Sequence, residues 1–343
     1  MGANLSAVAA HAGVSTATVS RVLNGRAGVS EATRASVLAS VDVLGFQRPA
    51  QLIPRRSGQI GLIVPELDDP VVPLFAQFIE SCLAQAGYMP LLCTRTPGGV
   101  TESEYVDLLR GHGVAGIIFV SGLHGDSTAD LTHYHRLIDS GIPTVLIGGY
   151  TDEIDAAFVS TDDIAAMDQA VRHLVELGHT RIGLAVGSDR FVASQRKSAG
   201  FARAVHKYLG SDAEVHIASS LSTVEGGAAA ATRLVGEQCT AIVCGSDLIA
   251  LGAIRAVRRE GLEVPRDVSI VGYDDSRLMA FTDPALTTIR QPVLAMGSAA
   301  VDALVDEIGG QARLRDEMLF TPELVLREST ASVPVSRSVV VTR

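Results

Sequence analysis

Two short amphipathic segments, joined at a glycine, lie at the start of this chain and restrict the folds it can adopt. Asn4 is a residue type that caps helices, and apolar side chains then recur at helical spacing as far as Gly13. Glycine gives the backbone the freedom that a sharp turn needs, and Ser15 can cap a second helix. The apolar positions are Leu5, Val8, Ala9, Ala12, Val14, Val19, Val22 and Leu23. This pattern predicts a helix-turn-helix.

The outward face of the second helix favours contact with a DNA duplex. Its residues are small or hydroxyl-bearing, with one long cation: Thr16, Ala17, Thr18, Ser20 and Arg21. A merely solvated face is usually rich in Glu and Lys, whereas short side chains permit close approach and hydroxyls can donate to phosphate. Arg21 can form a bidentate contact to guanine, and Thr16 and Ala17 can meet a thymine methyl group. An ordinary amphipathic helix pair is the alternative.

The head continues with a third helix. Ser30 is expected to cap it, helical spacing continues over 31–45, and Gly45 would terminate it. The side chains expected to pack on the first two helices are Ala35, Val37, Leu38, Val41 and Leu44. The prediction is therefore an all-α three-helix head over residues 1–46, followed by a linker over 47–59 that contains two prolines.

From residue 60 onwards the pattern changes to strands that alternate with helices. Continuous apolar runs such as 60–64 and 116–121 are separated by helical patterns such as 163–177. Strands of this kind predict an α/β core of parallel sheets that are buried on both faces. About nine such units are too many for one compact sheet. Two Rossmann-like parallel-sheet subdomains, with a cleft where the strands end, are the simpler account.

The charge is divided unequally along the chain. Residues 1–56 carry six arginines against two carboxylates, a net charge of +4, while the whole chain carries −10. The remaining residues therefore sum to −14. A basic head on an acidic body fits a protein in which only the head docks on DNA. Because the head is only modestly charged, we expect a homodimer that doubles the phosphate contacts.

The sequence gives no indication of secretion, of a membrane span or of a disulfide framework. The helix-turn-helix begins near Met1, which leaves no room for a signal peptide before it, and no apolar run is long enough to cross a bilayer. The four cysteines, Cys82, Cys93, Cys239 and Cys244, lack metal-ligand spacing. They are predicted to be buried thiols in a cytoplasmic, nucleoid-associated protein.

An enzyme on a Rossmann-like body is the alternative function, and the motifs disfavour it. The sequence contains no GxGxxG after a strand, no GxxxxGK[ST], no HExxH and no GxSxG. His133 and His135 resemble a metal pair, but residues i and i+2 of a helix point apart, so a solvated surface pair is predicted. No cofactor or metal is expected. An unexported solute-binding protein is disfavoured by the basic head.

The chain resembles the lactose/galactose-repressor (LacI/GalR) family over about residues 4–330. The resemblance is carried by AGVSTATVSRVLNG at 12–25, LGF at 44–46, IGLIVP at 60–65, HLVELGHTRIGLAVG at 173–187, SDLIALGAIRA at 246–256, PRDVSIVGYDDS at 265–276 and PALTTIRQP at 284–292. It implies a dimeric transcription factor, most often a repressor, that binds a palindromic operator in double-stranded DNA. It also implies that a small-molecule effector in the cleft changes how the heads are presented.

The resemblance further implies that the chain crosses between the two subdomains three times. The N-subdomain would comprise about 60–158 and 291–320, and the C-subdomain about 159–288 and 322–330. The segment 331–343 is expected to be a disordered tail, and it has no heptads that would form a tetramer zipper.

The DNA-contacting residues follow from the same resemblance. Thr16, Ala17 and Arg21 stand where the family reads bases. Phosphate is expected at Ser15, Thr18, Ser20 and the neighbouring Asn24, with the caps Asn4 and Ser30 at the same surface. The hinge departs from the family because Pro54 interrupts a helix. Leu52 and Ile53 can still wedge into a base step and Arg55 and Arg56 can hold phosphate, on either a hinge helix or a flexible tether.

The effector-binding residues also follow from the resemblance. Lys197, one of only two lysines, stands where the family has a pocket arginine, with Arg196 beside it as an alternative. Leu221 stands where many members have an aromatic platform. The remaining predicted positions are Asp69, Ser121, Ser246, Asp274 and Gln291, whereas Asp247 and Asp275 are expected to be structural. A lone ammonium suits a sugar-like ligand as well as a small acid.

Overall fold

The structure is a computed structural model that describes residues 5–23, 28–44, 58–312 and 315–333. The predictions for Asn4, Asn24, the hinge residues Leu52, Ile53, Arg55 and Arg56, and the tail from residue 334 onwards lie outside the described residues.

The head contains the predicted helix-turn-helix and third helix. Its helices are α1 (Leu5–Ala12), α2 (Thr16–Leu23) and α3 (Glu31–Val43). The turn between the first two is made at Gly13, whose φ of +66° lies in the region that favours glycine. Five side chains form the buried centre of the head: Val8, Ala9, Val19, Val22 and Val37.

The predicted inward face of α3 is partly wrong. Ala35 and Leu38 are exposed, and Leu38 retains 49% of its accessible surface. The stripe that packs on the first two helices is formed by Val37, Ser40, Val41 and Leu44, which are spaced by three and four residues. Burial of the polar Ser40 side chain is tolerated because its hydroxyl is hydrogen-bonded: it lies 2.9 Å from His11 Nδ1 and donates to the Ser36 carbonyl at 2.8 Å.

The core alternates strands and helices along the chain. In order, the elements are β1 (Gln59–Val64), α4 (Val71–Ala86), β2 (Met89–Thr94), α5 (Glu102–Gly111), β3 (Gly116–Val120), α6 (Thr132–Asp139), β4 (Thr144–Ile147), β5 (Ala157–Thr161), α7 (Asp163–Glu176), β6 (Ile182–Val186), α8 (Val192–Leu209), β7 (His216–Ser219), α9 (Val224–Gly236), β8 (Ala241–Cys244), α10 (Asp247–Arg259), β9 (Ser269–Asp274), β10 (Thr287–Arg290), α11 (Val293–Ile308), β11 (Glu317–Phe320) and β12 (Glu323–Val325). Short 3-10 turns lie at Leu123–Gly125 and Arg277–Ala280.

These strands form two separate six-stranded sheets, so the predicted fold class is confirmed. The first sheet, in the order β11-β5-β4-β3-β1-β2, is parallel throughout. The second has the order β12-β10-β9-β8-β6-β7, and only its edge pair β10–β12 is antiparallel. The inner strands β3, β5, β6 and β9 are buried along their whole length, as expected when helices cover both faces of a sheet.

The chain passes between the two sheets at three places. The crossings follow β5, β10 and β11. Each sheet and its covering helices form one lobe, called here the N-lobe and the C-lobe. No described helix combines the length and the apolar character needed to traverse a lipid bilayer.

Candidate functional site

The outer face of α2 is the candidate reading surface of the head. Thr16, Ala17 and Arg21 are exposed, whereas Thr18 and Ser20 are half-buried. Ser15 caps the helix because its Oγ accepts from the Thr18 backbone nitrogen at 3.1 Å. In the same way Ser30 caps α3, accepting from the Thr33 nitrogen at 3.2 Å. The helix therefore presents one exposed arginine beside a row of short side chains.

A cavity of about 540 Å³ lies between the two lobes of the core. It is bounded by residues that follow the carboxyl ends of β1, β3 and β4 in the N-lobe and of β6, β8 and β9 in the C-lobe. This is where ligands bind in open parallel sheets. Seven of the eight predicted effector residues line it: Asp69, Ser121, Arg196, Lys197, Ser246, Asp274 and Gln291.

Leu221 does not belong to this lining, which corrects the prediction. Its side chain is 73% exposed, and the adjacent Ser222 lines the cavity instead. The Leu221 carbonyl turns toward the start of α9, where it accepts from the Thr223 nitrogen at 2.8 Å. The aromatic rings in the lining are those of Phe75, Phe191 and Tyr273, which the sequence reasoning did not select.

Lys197 is buried with its charge already partnered. Nζ lies 3.4 Å from Asp163 Oδ1 and 3.9 Å from the centre of the Tyr273 ring. The Tyr273 hydroxyl donates to the same Asp163 oxygen at 2.6 Å. The ammonium group is thus enclosed by a carboxylate and an aromatic face, both of which stabilise a cation.

Arg196 joins the two lobes. Its Nη1 and Nη2 atoms donate to the two carboxylate oxygens of Glu317 at 2.5 and 2.8 Å. Glu317 begins β11 in the N-lobe, whereas Arg196 lies on α8 in the C-lobe. Because this bidentate contact uses the planar donor fork, Arg196 is less suited than Lys197 to the ligand role.

Asp274 is a buried carboxyl group held by an amide. Gln291 Nε2 donates to Asp274 Oδ1 at 2.6 Å, and Gln291 Oε1 accepts from the Thr161 hydroxyl at 2.8 Å. Burial raises the pKa of Asp274 well above its usual value, and the negative charge of Asp69 adds to this rise. Partial burial also raises the pKa of Asp69. Asp274 has a φ of 115°, a strained conformation that clusters at binding sites.

The neighbouring residues Asp247 and Asp275 are structural, because their carboxylates bond to other residues of the C-lobe. Asp247 accepts from the Ser276 nitrogen and hydroxyl, each at 2.8 Å, and from the Thr288 hydroxyl at 2.7 Å. Burial raises its pKa to about 6. Asp275 pairs with Arg290 and Arg327, and Ser246 caps α10 in addition to lining the cavity.

The prediction of a solvated histidine pair is wrong for His133. This side chain is buried, with Nε2 2.9 Å from Glu102 Oε1, because α6 packs beside the start of α5. His135 points elsewhere, toward the Glu153 carbonyl at 2.9 Å. Cys82 and Cys93 are only half-buried, and all four cysteines are free thiols. Among the described residues, no cluster of His, Cys, Asp or Glu side chains is suited to holding a metal ion.

Several lining residues were missed although the sequence carried a signal for them. Arg95 directly follows β2, and Tyr273 immediately precedes Asp274 at the end of β9. The ends of parallel strands meet at one edge of a sheet. Applying that rule to every strand end would have selected both residues.

The head and the two-lobed core define a class of protein, the DNA-binding regulators with a periplasmic-binding-protein-like core. Residues 4–48 match the model for bacterial regulatory proteins of the lacI family, and residues 171–330 match the periplasmic binding protein-like domain. The chain therefore belongs to the LacI family of transcriptional regulators. It is a regulator and not an enzyme.

Two curated relatives cover nearly the whole chain. The HTH-type transcriptional regulator MalR of Streptomyces coelicolor is 57% identical over 341 residues, which are 98% of this chain and 99% of that protein. The HTH-type transcriptional repressor CytR of Escherichia coli is 32% identical over 337 residues, 97% of each chain.

Two solved structures share the fold at similar coverage. The transcriptional regulator CelR in complex with cellobiose has a TM-score of 0.70 at 32% identity, covering 95% of this chain and 99% of that one. The lac repressor dimer bound to operator and the anti-inducer ONPF has a TM-score of 0.68 at 26% identity, covering 96% and 100%.

Proposed function

We propose that this chain is a homodimeric repressor whose affinity for a palindromic operator is modulated by a neutral sugar bound between the lobes. The head (1–46) reads DNA, the segment 47–59 transmits the effector state, and the core (60–330) binds the effector and dimerises. Arg21, Thr16 and Ala17 contact bases, while Ser15, Thr18 and Ser20 contact phosphates. Because its partner is DNA, the protein acts in the cytoplasm at the nucleoid.

The charge arrangement of the cavity is the observation that supports a neutral ligand over a small acid. Each of the four cations in the lining has a carboxylate partner: Arg95 with Glu102, Arg190 with Asp126, Arg196 with Glu317 and Lys197 with Asp163. Among the described residues, Lys197 forms its ion pair with Asp163 and not with Asp69 or Asp274, although its positive charge acts on both of these carboxyl groups. The charge of an acid would lie beside these two acidic side chains, whereas sugar hydroxyls can donate to them.

The aromatic lining and the relatives point to the same class of ligand. Phe75, Phe191 and Tyr273 offer apolar ring surface next to polar acceptors, a combination typical of small-molecule sites. The CelR structure contains cellobiose, and that of a LacI family regulator from Enterococcus faecium contains ribose. The cavity volume falls within the usual range for sites of this kind.

The proposal is tested by footprinting and by a gel shift with neutral sugars and matched sugar acids. We expect a symmetric protected site, steep salt dependence, and a change in operator affinity with a neutral sugar. A monomer that protects no symmetric site would refute the repressor model. A response confined to acids would refute the neutral ligand.

Replacing Lys197 with methionine is expected to weaken the sugar response while DNA binding without sugar remains. Methionine keeps an unbranched chain but removes the charge that Asp163 and Tyr273 hold at the cavity wall. A lost charged hydrogen bond corresponds to a roughly 10- to 100-fold rise in Kd, which titration calorimetry with the responding sugar measures.

The chain provides a matched control for this variant. Lys207 lies on the same helix, is paired with Asp168 and is absent from the cavity lining. The Lys207→Met protein should bind sugar normally. Equal sugar affinity in the two variants would exclude Lys197 from the site.

Sugar binding is expected to release protons and to strengthen as pH rises. Burial favours the protonated form of Asp274 in the empty cavity, whereas a hydroxyl that donates to its oxygen favours the ionised form. The pKa of Asp274 therefore falls on binding, and affinity increases with pH up to the raised pKa of the free site. Calorimetry in buffers with different ionisation enthalpies measures the protons released. Proton uptake would contradict the assignment.

A further inference from the structure

The N-lobe wall of the cavity carries an arginine that is paired with a carboxylate outside the cavity. Arg95 follows β2 and lines the cavity, with 23% of its side chain exposed. Its Nη2 atom donates to the Ser121 carbonyl at 3.0 Å, and its Nε atom lies 3.4 Å from Glu102 Oε2. Ser121 is itself part of the wall. The cation is thus fixed between a wall backbone group and a carboxylate.

Glu102 lies behind this wall and has no access to the cavity. Its side chain is completely buried at the start of α5, and it is absent from the lining. It accepts from the Leu123 nitrogen at 3.1 Å and from the Tyr134 hydroxyl, and its Oε1 lies 2.9 Å from His133 Nε2. This one carboxylate therefore fixes the wall at Leu123 as well as at Arg95.

The contacts of Glu102 keep it ionised. Burial alone would raise its pKa, but hydrogen bonds with His133 and Tyr134 and the positive charge of Arg95 together hold the pKa below its usual value. A buried negative charge therefore lies against the guanidinium group of Arg95. Without it, the wall would present an uncompensated guanidinium, the group that best recognises carboxylate and phosphate.

We propose that Glu102 determines the charge selectivity of the effector cavity by neutralising Arg95, so that the site accepts neutral sugars and rejects sugar acids. This inference rests on the proposed effector function and deepens it. Glu102 is a positioning residue, because it acts on the ligand only through Arg95 and the wall at Leu123.

The test measures how the affinities for matched neutral and acidic ligands change when Glu102 loses its charge. The probes are D-glucose with D-glucuronate, cellobiose with cellobionate, and inorganic phosphate, each titrated into the full-length protein. In Glu102→Gln the ratio of acid to neutral affinity should rise about tenfold, because Arg95 becomes uncompensated. A purely structural role would weaken both members of a pair equally.

The matched control is Glu104→Gln. Glu104 lies two residues after Glu102 on the same helix and is exposed to solvent, where its carboxylate accepts from the nitrogen and the hydroxyl of its capping partner Thr101. Its ratio of acid to neutral affinity should stay within about twofold of the parent. In the double variant with Arg95→Gln, the acid preference gained by Glu102→Gln should disappear.

Inorganic phosphate separates this inference from the proposed function. If none of the sugars binds, the neutral-sugar proposal fails for these probes, yet phosphate should still raise the Tm of Glu102→Gln and not that of the parent. An unchanged ratio together with no phosphate effect would overturn the role of Glu102. So would an acid preference that persists in the double variant.

A reciprocal variant keeps the test decisive should Glu102→Gln fail to fold. Arg95→Met leaves the negative charge of Glu102 behind the wall without its partner. The ratio of acid to neutral affinity should then fall about tenfold below that of the parent, and phosphate should give no rise in Tm. A ratio that stays the same or rises in Arg95→Met would overturn the inference.

Discussion

Arg21→Ala protein is expected to lose much of its preference for operator over random DNA. Arg21 is the one long cationic side chain on the exposed face of α2, between short residues that allow close approach. A bidentate arginine–guanine contact contributes about 1–3 kcal/mol of discrimination. In a dimer each half-site loses this contact. Competition gel shifts at fixed salt should therefore show a fall in operator preference of at least about tenfold.

Arg34→Ala is the matched control for this prediction. It removes the same charge from the same head, but from α3 and not from the reading helix. We expect it to weaken binding to both DNAs alike, since the loss of a positive charge from the head reduces its attraction to any phosphate backbone. Full operator preference in Arg21→Ala would remove the base-reading assignment.

Gly252→Ala is expected to destabilise the C-lobe strongly. Helices α9 and α10 pack at backbone contact distance, and a Cβ atom at position 252 would lie 2.0 Å from the Val224 carbonyl oxygen and 2.7 Å from the Ala228 nitrogen. Backbone atoms cannot rotate away, so the helices must separate and loosen the buried cluster around Leu234 and Ile249. Overpacking of this kind costs up to about 3 kcal/mol, or roughly 6–12 °C in Tm.

Gly236→Ala provides the contrast on the same pair of helices. Gly236 is the last residue of α9, and a Cβ atom there would meet nothing within 4 Å. Alanine should leave the Tm unchanged or raise it, because glycine costs up to about 1 kcal/mol in a helix. Equal thermal melts for the two variants would show that the helices can separate without cost.

Local signals in the sequence were sufficient for the existence and caps of the head helices and for the inner strands, but not for every inward position of α3. Ser15 and Ser30 could be recognised as caps because each hydroxyl accepts a hydrogen bond from the backbone nitrogen only three residues later. The inner strands are continuous apolar runs, and that pattern follows from burial on both faces. Such features are readable because the residues that cause them are adjacent in the chain.

Features that depend on distant partners were not readable. The edge strands β11 and β12 are short and partly polar, and each is defined by a neighbour from elsewhere in the chain. His133 can be buried because its ring nitrogen is hydrogen-bonded to the carboxylate of Glu102, which lies 31 residues earlier in the chain. The family resemblance placed Lys197 and Asp274, but it could not show that Asp163 and Gln291 already hold them.

The side-chain amide of Gln291 connects two of the three crossings between the lobes. It bonds at once to Asp274 in the C-lobe and to Thr161 at the first crossing, and it lies itself at the second crossing. A ligand group that donates to the Asp274 oxygen must compete with this amide. If the amide is displaced, the first and second crossings between the lobes lose the hydrogen bonds that they share. If the proposed effector donates to Asp274, its first effect on the core is therefore the breaking of an existing hydrogen bond at these two crossings.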